Sequence, residues 1–468
     1  MLDTRTYVKE MLGRFEFRSG RELTKSAGCV AVAGLVAYVP EYTGLTEEGR
    51  HALFILLLAA GLWVTEAMAA FAVALVVMAL EIQLLGGLGR GGVETEAWLR
   101  FLRPWSSPII WLFLGGFALA KAASRTGLDR TLASRVLEWS GGRPGRTLLG
   151  SMGLTFAFSM FMSTTATTAM MLAAVGPIVA GLRKDEPFAT ALLLGIPVAA
   201  NLGGMGTIIG SPPNAIAAAA LAPSQPIGFS LWMLVAVPPS LVLAGVALLY
   251  LRHRYPSGVE RIALGGLAHP GEEVPRLPRW KQWLVMGVFF VTVGLWMTGE
   301  LHGIPLPVVS FLPITIFAAT GVLEDTDVRG FQWDVLLLVA GGLSLGVAVA
   351  ETGLARWLVG FVPAGLGKMG LAVVLAFLAS GLSNFMSNTA AANILVPLGA
   401  ALGTAVDPAV VVPIALGASA AMCLPISTPP NALAFSSGKV AAREFLRPGL
   451  LMGALAPPLA ALWAWVVL

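Results

Sequence analysis

Long apolar runs separated by short charged loops recur from Ala27 to Leu468, and this patterning restricts the fold more than any other feature. Eleven runs read as bilayer-crossing spans, at residues 27–40, 51–64, 67–84, 107–122, 187–222, 229–251, 281–298, 304–322, 334–350, 407–437 and 446–467. Charged residues make up 12% of the chain, about half the roughly 25% of a soluble domain. Mean hydropathy is +0.80. So little polar surface cannot cover a water-facing globule, and hydrocarbon is the solvent that fits. The expected class is an all-α polytopic membrane protein.

Two further runs, 145–181 and 368–402, are each too long for one crossing and too short for two. Each is broken in its middle by a polar triplet, Ser163-Thr164-Thr165 in one and Ser387-Asn388-Thr389 in the other. They read as re-entrant hairpins that enter and leave on the same side. The basic residues test this count. With the N-terminus in the cytoplasm, 24 of the 30 Lys and Arg fall inside and 6 outside (Arg50, Arg90, Arg100, Arg103, Arg356 and Lys368). Treating one hairpin as a crossing would reverse every later loop. The expected protein is multi-pass in the plasma (inner) membrane, with its C-terminus outside. Residues 1–26 are polar and mixed in charge, and read as a partly helical cytosolic tail without a cleavable signal. Residues 27–50 then supply a first transmembrane helix and its loop.

The halves of the chain repeat each other in order. Gly115-Gly116 matches Gly341-Gly342, and Thr126-Gly127-Leu128 matches Thr352-Gly353-Leu354, both at an offset of 226. Ser163 and Thr165 match Ser387 and Thr389 at 224, and Pro212-Pro213-Asn214-Ala215 matches Pro429-Pro430-Asn431-Ala432 at 217. Repeat 1 is placed at 51–252, with its hairpin at 145–181 and an interrupted helix at 187–222. A cytosolic linker follows at 253–280. Repeat 2 occupies 281–468, with its hairpin at 368–402 and an interrupted helix at 407–437. An odd number of crossings between the Gly-Gly pairs turns the second copy upside down. Inverted repeats with broken helices are a plan of secondary transporters, with the site at mid-membrane.

Four polar interruptions carry the chemistry. Two are the hairpin tips. The others are the stretches from Asn201 to Asn214 and from Leu424 to Asn431, each with paired prolines that stop a helix. Glycine in the first stretch permits unusual backbone angles, and a small residue or Asn near each restart is expected to cap the outgoing helix. Breaks free backbone groups inside the membrane, where each unmet group costs several kcal/mol. Restarting helices offer N–H groups and a positive dipole end to anionic oxygens. Ending helices offer carbonyls to Na⁺, and Ser, Thr and Asn side chains serve either ion. A single Ser or Thr in a membrane helix more often bonds its own backbone. Four interruptions at matched places point to a site.

The other residue types exclude more than they assign. Glu66 lies well inside an apolar stretch and fits either a proton or cation site or, preferably, a capping role at a break. Glu81, Glu300, Asp334 and Glu351 are expected near the membrane edges. A proton-driven pump would show several mid-membrane acids. Cys29 and Cys423 have no metal or redox spacing, and the four histidines have no ligand-spaced partner. An intramembrane enzyme therefore lacks a nucleophile system. A pI near 9.2 does not suggest nucleic acid, because the basic residues sit in short loops. Trp105, Trp111, Trp280 and Trp283 read as interfacial anchors, and Met170-Met171 as packing behind the first tip.

The paired Ser-x-Thr tips, the Thr65-Glu66-Ala67 segment and the two x-Pro-Pro-Asn-Ala loops resemble the divalent anion/sodium symporter (DASS) family, from about Ala52 to the C-terminus. The resemblance implies a homodimer with an elevator-type transport unit, alternating access, and sodium-coupled carriage of small divalent anions, C4-dicarboxylates or related di- and tricarboxylates foremost. It implies substrate contacts from Ser163, Thr164, Thr165, Ser387, Asn388, Thr389 and Pro429. It places one Na⁺ site at Ser163, Thr164, Gly203, Gly206 and Asn214. A second falls at Ser387, Asn388, Cys423, Ser427, Thr428 and Asn431. The family's usual tip is Ser-Asn-Thr in both copies, and here the first carries Thr164 in place of Asn. That departure keeps two alternatives open, a sulfate or other oxyanion carrier and a sodium-independent exchanger; a cation/proton antiporter on a related inverted-repeat plan is a more distant alternative, against which the lack of mid-membrane acids argues.

Overall fold

The computed structural model describes residues 4–87, 96–183, 185–222, 224–262, 278–361, 366–402 and 406–468, with side chains from Gly20 onward. Every regular element among them is helical. α1 (Thr4–Tyr38) runs through residue 26, so tail and first span form one helix, with no proline to stop it. α2 (Glu47–Thr65) starts at Thr46, whose hydroxyl accepts from the Gly49 N–H. It is followed by α3 (Ala70–Leu85) and, after two 3-10 turns, by α4 (Pro108–Thr126) and α5 (Leu128–Trp139). α6 (Pro144–Ser159) and α7 (Thr164–Gly181) make the first hairpin, and α8 (Pro187–Gly204) and α9 (Pro212–Leu221) the first interrupted helix. α10 (Phe229–Arg254) leads to α11 (Arg279–Met297), α12 (Gly299–His302), α13 (Leu306–Ala319) and α14 (Asp325–Arg329). The series then recurs as α15 (Trp333–Glu351), α16 (Leu354–Val359), the hairpin α17 (Lys368–Ser383) and α18 (Asn388–Ala401), the halves α19 (Pro408–Ser419) and α20 (Pro429–Ser436), and α21 (Ala442–Val467).

Proline opens α6, α8, α9, α19 and α20, where its missing N–H has no helical partner to lose. The matched Thr-Gly-Leu motifs are helix ends. Gly127 (φ 66°) and Gly353 (φ 81°) take the left-handed conformation that turns α4 into α5 and α15 into α16. By length and apolarity, α2, α4, α7, α8, α10, α11, α15 and α21 can each cross a bilayer, and α3, α13, α17 and α19 are shorter apolar helices.

The halves interlock through the Gly-Gly motif. α13 packs on α4, and its counterpart α3 packs on α15. A Cβ on Gly115 would lie 2.6 Å from Ser310 Cβ, and one on Gly341 would lie 2.5 Å from Ala74 Cβ. Each helix pair therefore approaches more closely than any side chain permits. α6 lies along α8 and α17 along α19. α9 reaches across to α18 and α19, and α20 to α7 and α8. The core centres on α8, α9 and α19, which are buried along nearly their whole length. α11 is peripheral and turns Trp280, Trp283 and Phe290 outward, a surface that suits lipid.

Candidate functional site

Each hairpin tip closes on the break of its own repeat. In repeat 1 the turn at Met160–Ser163 meets the stretch between α8 and α9, and the Thr207 hydroxyl donates to the Met160 carbonyl. In repeat 2 Asn384, just before the tip, takes the Cys423 N–H at 2.8 Å and the Ser427 hydroxyl at 3.1 Å on its side-chain oxygen. The Leu424 N–H in turn donates to Ser427 Oγ at 2.9 Å. The two hairpins also share a stem bond. Ser159 donates to the Ala200 carbonyl at 2.6 Å, and Ser383 to the Ala418 carbonyl at 2.9 Å.

The two post-proline asparagines play one role twice. Asn214 Nδ2 donates to the carbonyls of Gly204, Met205 and Thr207 at 2.8, 3.3 and 2.7 Å. Asn431 Nδ2 donates to those of Met422 and Leu424, each at 3.0 Å. The expectation that these residues cap the outgoing helices is thus corrected: their amides stitch the carbonyls of the preceding break. Capping falls to Thr428, whose hydroxyl accepts the Asn431 N–H. The matching Ser211 makes no such bond, because its hydroxyl faces Ser419. Asn214 Oδ1 and Asn431 Oδ1 are buried and have no hydrogen-bond partner. Buried oxygens of this kind are suited to water or a cation.

The remaining site residues lie at the same four places. Ser163 Oγ accepts from Gln332 Nε2 at 2.9 Å, so the first tip touches the chain entering α15. Thr164 opens α7, and a Cβ on Gly204 would lie 2.7 Å from its methyl carbon. Thr165 is half-buried beside it. Gly203 is buried against the Phe156 backbone, and its carbonyl accepts the Gly206 N–H at 2.9 Å. Ser387 is exposed and caps α18 through the Ala390 N–H. Asn388 Oδ1 accepts from Ser383 at 2.7 Å. Thr389 is buried, and Pro429 opens α20 exposed. Among the described residues, the hydrogen bonds at the two breaks involve hydroxyl, amide and backbone groups and no charged side chain.

Equivalent positions in the two repeats have different surroundings. Phe161 stacks edge-on against Phe289 of α11, with ring centroids 5.5 Å apart, whereas Phe385, its match at offset 224, is 69% exposed. Ile209 is buried against Gly116, whereas Ile426, its match at offset 217, is 79% exposed. α18 packs along α15, where Asn393 Nδ2 donates to the Leu338 carbonyl at 3.0 Å and fills the space a Cβ on Gly342 would need.

Two of the acids have defined surroundings. Glu66 is exposed and ends α2 with φ 49°, its backbone N–H on the Leu62 and Trp63 carbonyls, in keeping with the capping role. Glu81 is fully buried where α3 packs on α15, takes the Ser344 hydroxyl on one oxygen and has no partner on the other. It bonds none of the residues of the breaks or tips. The sequence reading also passed over Ser159, Ser383, Asn384, Gln332, Asn393 and Ser419. Their one signal was polarity within or at the ends of apolar helices.

Comparison with known proteins bears on this arrangement. The family model described as "Citrate transporter" (CitMHS) matches residues 60–410 and 293–468. A sodium-dependent dicarboxylate transporter, SdcS, of Staphylococcus saprophyticus is 30% identical over 464 residues, covering 91% of this chain and 86% of that protein. SdcS of Staphylococcus aureus is 29% identical over 445 residues, covering 86% and 83%. The solved structure of Neisseria gonorrhoeae MtrF superposes with a TM-score of 0.54 at 10% identity, over 81% of this chain and 85% of that one, and shares the fold alone. With the family model matched over most of its length, the chain belongs to the CitMHS/DASS family of citrate transporters, multi-pass membrane proteins that transport rather than catalyse.

Proposed function

We propose that this protein is a secondary active transporter of small di- and tricarboxylates, C4-dicarboxylates foremost, coupled to sodium. The observation that supports it most is the pair of matched breaks, each closed on its hairpin tip and lined by uncharged oxygens and N–H groups. Helix starts at Ser163, Ser387, Ser211 and Thr428 supply N–H groups for carboxylate oxygens. Carbonyls of the breaks, with the free oxygens of Asn214 and Asn431, supply ligands for Na⁺. In this reading Ser163, Thr164, Thr165, Ser387, Asn388, Thr389 and Pro429 face substrate. One Na⁺ joins the first tip to Gly203–Gly206. The other joins the second tip to Cys423–Thr428. Eleven crossings put the N-terminus in the cytoplasm and the C-terminus outside, and the hairpins and broken helices travel as an elevator against a scaffold held in a homodimer.

The relatives are named for sodium-dependent dicarboxylate transport, and that supports the same reading. A second reading, sodium-independent exchange, draws on Thr164. It turns a methyl rather than an amide oxygen toward Gly204, which removes one ligand from the first cation site. Uptake of labelled succinate, citrate and sulfate into proteoliposomes separates the readings. The proposal expects succinate accumulation driven by an inward sodium gradient. Counterflow that ignores sodium would favour the exchanger, and accumulation of sulfate alone would reassign the substrate.

A further inference from the structure

The two breaks are tied to each other as well as to their tips, and the ties are reciprocal. Asn201, in the last turn of α8, donates from Nδ2 to the hydroxyl of Thr428, the residue that starts α20, at 3.1 Å. Ser419, the last residue of α19, lies with its Oγ 3.3 Å from the hydroxyl of Ser211, the residue that starts α9. Asn201 and Ser419 are equivalent positions. Each directly follows the alanine, Ala200 or Ala418, whose carbonyl takes the hairpin serine. The end of each repeat's incoming half-helix therefore bonds the start of the other repeat's outgoing half-helix. All four side chains are less than one-tenth exposed.

We propose that Asn201 and Ser419 are positioning residues that couple the two breaks, so that an ion or anion held at one shapes the other. The inference rests on the sodium-coupled reading above. The physical argument is linkage. Two sites are coupled when both bias one shared arrangement, and the coupling acts equally in both directions. The last turn of α8 carries Gly203 and leads into the carbonyls of the first break, and Asn201 leaves it for Thr428. The Thr428 hydroxyl in turn takes the Asn431 N–H, and Asn431 holds the carbonyls of Met422 and Leu424. A cation that pins the first break thus fixes a donor on which the geometry of the second depends. Ser419 and Ser211 carry the same influence the other way. All four side chains are buried, where losing a partner leaves a polar group unmet at a cost, so each tie resists breaking.

Sodium titration of succinate uptake in proteoliposomes tests this with wild type, Asn201→Ala, Ser419→Ala and the double variant. Wild type should respond cooperatively to sodium. In each variant the Hill coefficient should fall toward unity, and the sodium half-saturation should rise roughly 3- to 10-fold, the loss expected for one hydrogen bond. That rise should exceed the fall in maximal rate. A purely structural role would instead lower folded yield and leave the Hill coefficient alone. Should Asn201→Ala fail to fold, Ser419→Ala and Ser211→Ala each remove a single hydroxyl and read the reciprocal tie from its two sides. Sodium-dependent thermal protection without substrate gives a second measure of cooperativity. A cooperative wild type with unchanged Hill coefficients in the variants, or a sodium-dependent but non-cooperative wild type, overturns this inference alone. Uptake indifferent to sodium in wild type overturns the coupled-transport reading and this inference with it.

Discussion

Individual side chains give this protein two separate handles, one at the site and one beyond the spans. At the site, Thr164 presents its methyl to Gly204 where the second tip places Asn388. Thr164→Asn adds an amide oxygen, and should lower the sodium concentration for half-maximal uptake about 3- to 10-fold; an unchanged response would remove position 164 from the cation site. Beyond the spans, Asp327 joins the start of α14 to the end of α4. Burial pushes its carboxyl up, yet the Glu324 N–H, the Arg125 guanidinium and Lys121 outweigh burial and hold it below the usual carboxylate range. A carboxyl lowered by folding contributes stability above its unfolded pKa of about 3.9, and that contribution is lost as pH falls through the folded value. Asp327→Asn should therefore cost about 1–3 kcal/mol near neutral pH. Thermal unfolding in detergent should show the gap to wild type narrowing below about pH 4, and a gap that stays constant down to acid would contradict the ion-pair account.

Matched elements with unmatched surroundings carry the information about motion. The first tip and break are docked, through Phe161 on Phe289, Ser163 on Gln332 and Ile209 on Gly116. The second tip and break leave Phe385 and Ile426 open, while the stem of that hairpin is seated on α15 through Asn393. If the repeats exchange surroundings during transport, Ile426 becomes covered as Ile209 is freed. Single cysteines at the two positions test this with a water-soluble maleimide. Ile426→Cys should react fast and Ile209→Cys slowly without substrate, and the ratio should shrink under turnover; rates that ignore turnover would mean that this docking does not change. Gly342→Ala should displace Asn393, since its Cβ would lie 1.7 Å from Asn393 Oδ1. We expect loss of the Leu338 bond at about 1–3 kcal/mol, read as lower thermal stability. The positions of these elements were legible because prolines, the polar Ser-x-Thr tips and the Thr-Gly-Leu motifs each mark a local backbone event. The pairing of Asn201 with Thr428, or of Glu81 with Ser344, was not. Each joins residues more than 200 positions apart, and a buried polar group looks the same in sequence whoever its partner is.

At the scale of the molecule, the two halves meet at their breaks, where Asn201 bonds Thr428 and Ser211 lies beside Ser419 with no charged side chain among them. The all-helical order and the places of the breaks were largely readable from apolar spacing and internal repetition, because hydrocarbon forces backbone bonds to close within helices and makes each interruption conspicuous. The continuous α1 was not foreseen, since the shift from polar to apolar residues near position 26 breaks no backbone bond. Family membership places the chain among citrate transporters, and in the proposed reading the helix starts offer their N–H groups to the anion. The account depends most on the two tips acting as one binding site. Uptake of labelled succinate, citrate and sulfate by Asn388→Ala and Thr389→Ala, each reconstituted at wild-type density with a sodium gradient, measures that directly. The account predicts at least a tenfold loss, as expected when hydrogen bonds to a charged group are removed. Transport of every anion at wild-type rates by both variants would contradict it.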